Sequence, residues 1–107
     1  MKNDLHYSPA ALQDLDDIWE YIATETENPM LAQVIINKIL SAIEKLQAFA
    51  RMGTVLSKKV PFPNNYRFLV VDNYMIFYRY EFSDIYVGRI LFGSRNYLRI
   101  LFEEKSQ

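Results

Sequence analysis

At 107 residues, half of them hydrophobic and 15% aromatic, the chain has the size and composition of one globular domain, residues 1–107, and not of a disordered or multidomain protein. It has no cysteine and a single histidine, which excludes a disulfide framework and leaves too few ligands for a dedicated transition-metal site. The net charge of −1 joins two unlike halves: residues 1–50 carry three lysines against eight acidic residues, and residues 51–107 carry six arginines and three lysines against five. That split suggests either an anionic partner at the basic end, nucleic acid or acidic protein, or simply charges falling on different solvated faces. The opening Met-Lys-Asn-Asp-Leu-His lacks the apolar run of a secretion signal, and no window is apolar for long enough to span a bilayer. A soluble cytoplasmic protein is expected.

In chain order, Asp4 to Tyr7 alternates enough to be a short leading strand. Ser8-Pro9 then reads as a helix start, a capping hydroxyl followed by a proline whose missing N–H costs nothing in the first turn. Leu12, Leu15, Ile18, Trp19 and Ile22 recur at helical spacing, and Asp14, Asp16 and Asp17 lie near enough to the N-terminal end to suit the helix dipole. Residues 24–28 break the pattern, and Asn28-Pro29 repeats the start signal. Ala32, Ile35, Ile36, Ile39, Ile43 and Leu46 predict a second helix of about five turns. So short a linker obliges the two helices to pack as an antiparallel hairpin. Gly53 is placed to supply a left-handed residue ending a turn. Residues 54–65, with Lys58, Lys59, Pro61 and Pro63, read as a loop of a length that is often functional.

Residues 66–99 form three runs rich in β-branched and aromatic residues, interrupted at Asp72-Asn73 and around Ser83-Asp84, the pattern of a three-stranded antiparallel meander. Arg67, Arg79, Arg89, Arg95 and Arg99 are set into it. The third strand ends at Gly93, and residues 97–102 suit a short helix or another strand. Alternation puts Tyr74, Ile76, Tyr78 and Tyr80 on one face and Met75, Phe77 and Arg79 on the other. It likewise sets Val87, Arg89 and Leu91 against Tyr86, Ile90 and Phe92. Neither face is polar. One helical hairpin covers one face of a four-stranded sheet, so the other requires a partner or the C-terminal segment folded back upon it. The fold class is therefore α+β: a leading strand, an antiparallel helical hairpin, the meander and a short C-terminal segment.

Residues with chemistry are few. Three glycines make no phosphate-binding loop, the lone His6 in a strand reads as structural, no nucleophilic triad can be assembled, and neither a metal nor a cofactor is expected. The residue types do allow metal-independent RNA cleavage, in which a base activates the 2′-hydroxyl and arginines stabilise charge on the phosphate. Arg79, Glu81, Arg89, Arg95 and Tyr97 could fill such roles, aided by Lys58 and Lys59. Arginines among aromatics suit equally well the binding of nucleic acid without cleavage, or a protein interface.

Four stretches in order along nearly the whole chain carry a resemblance. They are Leu15-Asp16-Asp17-Ile18-Trp19-Glu20-Tyr21-Ile22-Ala23, Phe49-Ala50-Arg51-Met52-Gly53, Tyr74-Met75-Ile76-Phe77-Tyr78-Arg79 and Arg89-Ile90-Leu91-Phe92-Gly93-Ser94-Arg95-Asn96. Together the chain resembles the RelE/ParE superfamily of bacterial toxins. The resemblance implies the toxin of a type II toxin–antitoxin pair, associated with plasmid stabilisation and growth inhibition, and held inactive in a hetero-oligomer with an antitoxin. Members of the mRNA-cleaving branch commonly carry arginine where Met75 stands, and certain members a histidine where Phe92 stands. Ala50 replaces a common proline and Asn96 a common aspartate, both mild changes. The departures favour the ParE branch, which the resemblance implies poisons DNA gyrase by binding and is no enzyme. On that reading Arg67, Arg79, Arg89, Arg95 and Arg99 meet the target, and Met75, Phe77, Leu91 and Tyr97 meet the antitoxin. The alternative is a ribosome-dependent mRNA endoribonuclease acting through Arg79, Arg95 and Tyr97.

Overall fold

The computed structural model describes residues 2–59, 64–93 and 96–103. Strand β1 (Asp4–Tyr7) runs directly into helix α1 (Pro9–Thr26), and α2 (Pro29–Glu44) follows. Ser8 makes this junction: its Oγ accepts from the Ala11 amide at 2.9 Å, capping α1, and donates to the Gly88 carbonyl at 2.7 Å, while its own amide donates to the Val87 carbonyl. Asn28 caps α2 in the same way, accepting from the amides of Met30 and Leu31. Between the helices, Glu27 turns the chain in the left-handed region with φ 52°. The helices form the expected antiparallel hairpin.

Among the described residues the sheet has five strands in the order β1-β5-β4-β3-β2, with β2 (Thr54–Val55), β3 (Tyr66–Val71), β4 (Tyr74–Glu81) and β5 (Asp84–Phe92). The meander β3-β4-β5 is as the sequence predicts. Two features differ. β1 pairs parallel to β5, so the sheet is mixed, and the first residues of the expected 54–65 loop form β2 against Arg67 and Phe68. The second hairpin also turns one residue earlier than expected, at Phe82-Ser83, because Asp84 already pairs with Glu81.

The helices cover one face of the sheet. Tyr74, Ile76 and Tyr78 of β4 pack there with Ile85, Val87 and Ile90 of β5 against Ala11, Ile22, Ala32, Ile39 and Ile43. The α1 stripe is narrower than its spacing suggests: Leu12 is 52% exposed and Trp19 36%, so Ala11, Leu15, Ile18 and Ile22 carry the packing. Strict alternation fails in β5. Phe77 pairs with Arg89 but Tyr78 with Val87, so Gly88 is an extra residue, a bulge that puts Val87 and Ile90 on the same face.

The opposite face is also covered, by the chain's own C-terminal segment. From residue 97 the chain is helical, ending in a π-helical turn, Arg99–Glu103. Leu101 is buried there against Leu56, Phe68, Phe77 and Leu91, with Tyr97, Ile100 and Phe102 alongside. Tyr97 stacks on Phe77 at 5.2 Å and Phe102 meets Tyr66 edge-on at 5.7 Å. Folding back was one of two outcomes open to the sequence, and it satisfies much of this face without a partner.

Candidate functional surface

The five arginines of the meander have different fates. Arg67 donates to the carbonyls of Arg51 and Gly53 at 3.2 and 3.1 Å, which fastens the loop after α2 to the sheet. Arg89 lies on the outer side of β5 and turns round the sheet edge to α1, where Nε and Nη2 donate to both Asp14 oxygens at 2.8 and 2.9 Å. Arg79 bridges to Glu81 at 3.2 Å with its guanidinium 5.3 Å from the Tyr86 ring. Arg99 is exposed on the terminal turn. Arg95 lies outside the described residues. Two of the five are thus drawn into holding the fold, and Arg79 and Arg99 face solvent.

Asp14 is the residue that sequence reasoning placed wrongly. It does not decorate the helix dipole; it is 8% exposed and accepts from the Ile90 amide at 2.9 Å as well as from Arg89. Its position explains why. β1 pairs with β5 only as far as Val87, so beyond that point β5 has lost its neighbour. The carboxylate of α1 supplies the missing acceptor for the Ile90 amide, and Arg89 neutralises it. The tertiary pairing could be found in the sequence only by knowing that β1 stops early.

Tyr78, in the middle of β4, ties the sheet to the segment after α2. Fully buried, it donates to the Ala50 carbonyl at 2.8 Å and accepts from the Gly53 amide at 3.0 Å. Burial pushes its hydroxyl above the ordinary tyrosine value, with the Gly53 hydrogen bond and Arg67 opposing. Gly53 is required here by close approach and not by a left-handed backbone: a Cβ would sit 2.5 Å from Tyr78 Oη and 2.9 Å from the Phe68 carbonyl. The Phe49 to Gly53 motif is therefore the seat of a buried tyrosine.

Of the side chains expected to meet an antitoxin, Phe77 and Leu91 are buried beneath the terminal turn, and Met75 and Tyr97 are half-buried beside it. Phe92 stands away from them, 52% exposed, with its ring 5.4 Å from Tyr74. It closes one end of an apolar groove of about 370 Å³ lined by Ile18, Tyr21, Tyr74, Ile90 and Leu91. Burial raises the Tyr74 hydroxyl pKa, with Tyr21 and Asp72 adding to it. A second cavity, about 440 Å³, lies between Tyr66, Arg79, Tyr86, Arg89 and Leu101. Of the candidates for RNA cleavage, Arg79 and Glu81 form a partly exposed ion pair at 3.2 Å, and the Tyr97 ring is stacked on Phe77. His6 is tied to Asp84 at 2.9 Å and stacked on Tyr86. Among the described residues no three His, Asp or Glu side chains converge as metal ligands, and no helix is long and apolar enough to cross a membrane.

Comparison with known proteins agrees with this architecture. No curated protein sequence matches the chain. Among solved structures, a chain of the chromosomal ParDE TA system from P. aeruginosa superposes with a TM-score of 0.72 at 22% identity, covering 87% of this chain and 98% of that one. The family model described as the ParE toxin of the type II toxin–antitoxin system parDE matches residues 5–97. With the helical hairpin, the Tyr78 seat and the meander all inside the matched span, the chain belongs to the ParE toxin family of type II toxin–antitoxin systems.

Proposed function

We propose that this chain is the toxin of a type II pair, that it arrests growth by binding DNA gyrase without cutting RNA, and that a cognate antitoxin neutralises it. The observation that carries the choice is the chemistry of the outer sheet face. Where acid–base groups would have to stand for cleavage, Met75, Phe77, Leu91 and Phe68 form an apolar cluster closed by Leu101. A general base needs a titratable group within hydrogen-bond reach of the substrate, and among the described residues this cluster offers only the phenols of Tyr66 and Tyr97 at its margin, the Tyr97 ring stacked on Phe77. Arg79 and Arg99, together with Arg95, are left as the cationic contacts of the target surface. Arg67 and Arg89 support that surface from behind.

On this reading the antitoxin reaches Met75, Phe77, Leu91 and Tyr97 by taking the place of the terminal turn. The Tyr21–Phe92 groove, with Asp17 on its lining, offers it a second apolar seat suited to a segment that carries basic residues beside its apolar ones. The experiment is induction of the chain in a bacterium with and without the antitoxin, with plasmid topology followed in parallel. Growth arrest with loss of negative supercoiling, both relieved by the antitoxin, is expected. Arrest with normal supercoiling refutes the gyrase target.

A further inference from the structure

The two hairpins of the meander are built alike and filled differently. Each is a two-residue loop whose first residue has positive φ, Asp72 at 53° and Phe82 at 57°. Aspartate accepts that conformation at small cost, but phenylalanine does so rarely, and its ring makes no compensating contact, since Phe82 is 94% exposed. A strained backbone is unfavourable for an isolated fold and a fully exposed aromatic adds nothing to offset it, and here the two fall on one residue. Either could be removed by asparagine or glycine without disturbing the strands.

We infer that Phe82 is an anchor that inserts into an apolar pocket of the toxin's protein target. This rests on the proposal above that the chain acts by binding a protein. The surroundings of the tip favour protein over phosphate. Asp84 starts the next strand, Asp4 pairs beside it with its amide on the Ser83 carbonyl, and Glu81 precedes the turn. Charged groups beside the tip are tied down: Arg79 pairs with Glu81, His6 with Asp84, and Arg67 is held by two carbonyls. A nucleic-acid strand would find Asp4 there and carboxylates competing for the cations it needs. An apolar pocket in a protein would meet an exposed aromatic ring set among polar groups already paired with one another, the composition of an interface hot spot ringed by near-neutral contacts.

The test compares wild type with Phe82→Asn and Phe82→Tyr, in thermal unfolding, growth arrest and inhibition of purified gyrase. Phe82→Asn, able to occupy the left-handed region, is expected to unfold at or above the wild-type temperature, by up to about 5 °C. It is also expected to need at least about thirtyfold more protein for half-maximal inhibition, while Phe82→Tyr behaves as wild type. Undiminished growth arrest by Phe82→Asn overturns the anchor, and so does a fall in its unfolding temperature, which would make the ring a structural element. If the wild type arrests growth and leaves gyrase untouched while Phe82→Asn is inert, the anchor stands and the gyrase target falls. A wild type that arrests nothing refutes both.

Discussion

Replacing Asp14 by asparagine changes almost no volume and removes one charge, so it isolates the device that closes the open edge of β5. The carboxylate receives three donors, at 2.8 Å from Arg89 Nε, 2.9 Å from Arg89 Nη2 and 2.9 Å from the Ile90 amide. An amide can accept through one oxygen only and turns an N–H₂ toward the remaining donors. Breaking a buried ion pair by neutralising one partner costs about 3–5 kcal/mol. The Arg89 side chain is 26% exposed, so water recovers part of that, and about 2–3 kcal/mol is the appropriate expectation. For a domain of this size the midpoint of thermal unfolding should fall by roughly 10–20 °C. Urea unfolding should show a lower midpoint at unchanged slope. The Asp14→Asn, Arg89→Met double variant removes the uncompensated charge along with the pair, and should be less destabilised than the sum of the single changes by more than about 1 kcal/mol. A loss below about 0.5 kcal/mol for Asp14→Asn, or simple additivity, would refute the account of this edge.

Three further outcomes follow from the packing. Gly53→Ala drives a Cβ into Tyr78 and the Phe68 carbonyl, and should destabilise by about 2–4 kcal/mol; Tyr78→Phe, which orphans the Ala50 carbonyl and Gly53 amide, by about 1–3 kcal/mol, both read from urea midpoints. Leu101→Ala, 2% exposed beneath the terminal turn, should cost about 2–4 kcal/mol and increase binding of a hydrophobic dye, whereas a terminal turn that is not docked would leave both unchanged. Tyr7, Tyr74 and Tyr78 all have hydroxyl pKa values raised above the ordinary 10.0, chiefly by burial. The unfolded chain therefore loses these protons first as pH rises, so stability is fully present below about pH 10 and declines as pH climbs from there through the folded values. Tyr78→Phe should flatten that alkaline decline, measured as urea midpoints between pH 8 and 11.

Much of the architecture was legible in local signals. Ser8-Pro9 and Asn28-Pro29 mark both helix starts because a capping side chain and a proline act within one turn, and Asp72-Asn73 marks its hairpin for the same reason. What escaped depends on contacts distant in sequence. Asp14 and Arg89 are 75 residues apart, and nothing in the spacing of either reveals that β1 ends before β5 does. The Gly88 bulge defeats simple alternation, since one inserted residue exchanges the faces of everything beyond it. The second turn was displaced by Phe82, a residue with no local preference for a turn, and that mismatch is what marks it as unusual. The two-faced apolar sheet was read correctly, but periodicity could not distinguish a partner from Leu101 and its neighbours as the cover. At the candidate surface, the arginines were visible and their division was not: Arg67 and Arg89 are recognisable as structural only once their acceptors are in place.

The central claim is that this toxin acts by gripping a protein and not by breaking RNA. It is tested most directly by adding one purified preparation in parallel to a gyrase supercoiling reaction and to ribosomes holding a defined message. Inhibited supercoiling with intact message is expected. Cleavage of the message at defined codons, with supercoiling unaffected, would contradict the account.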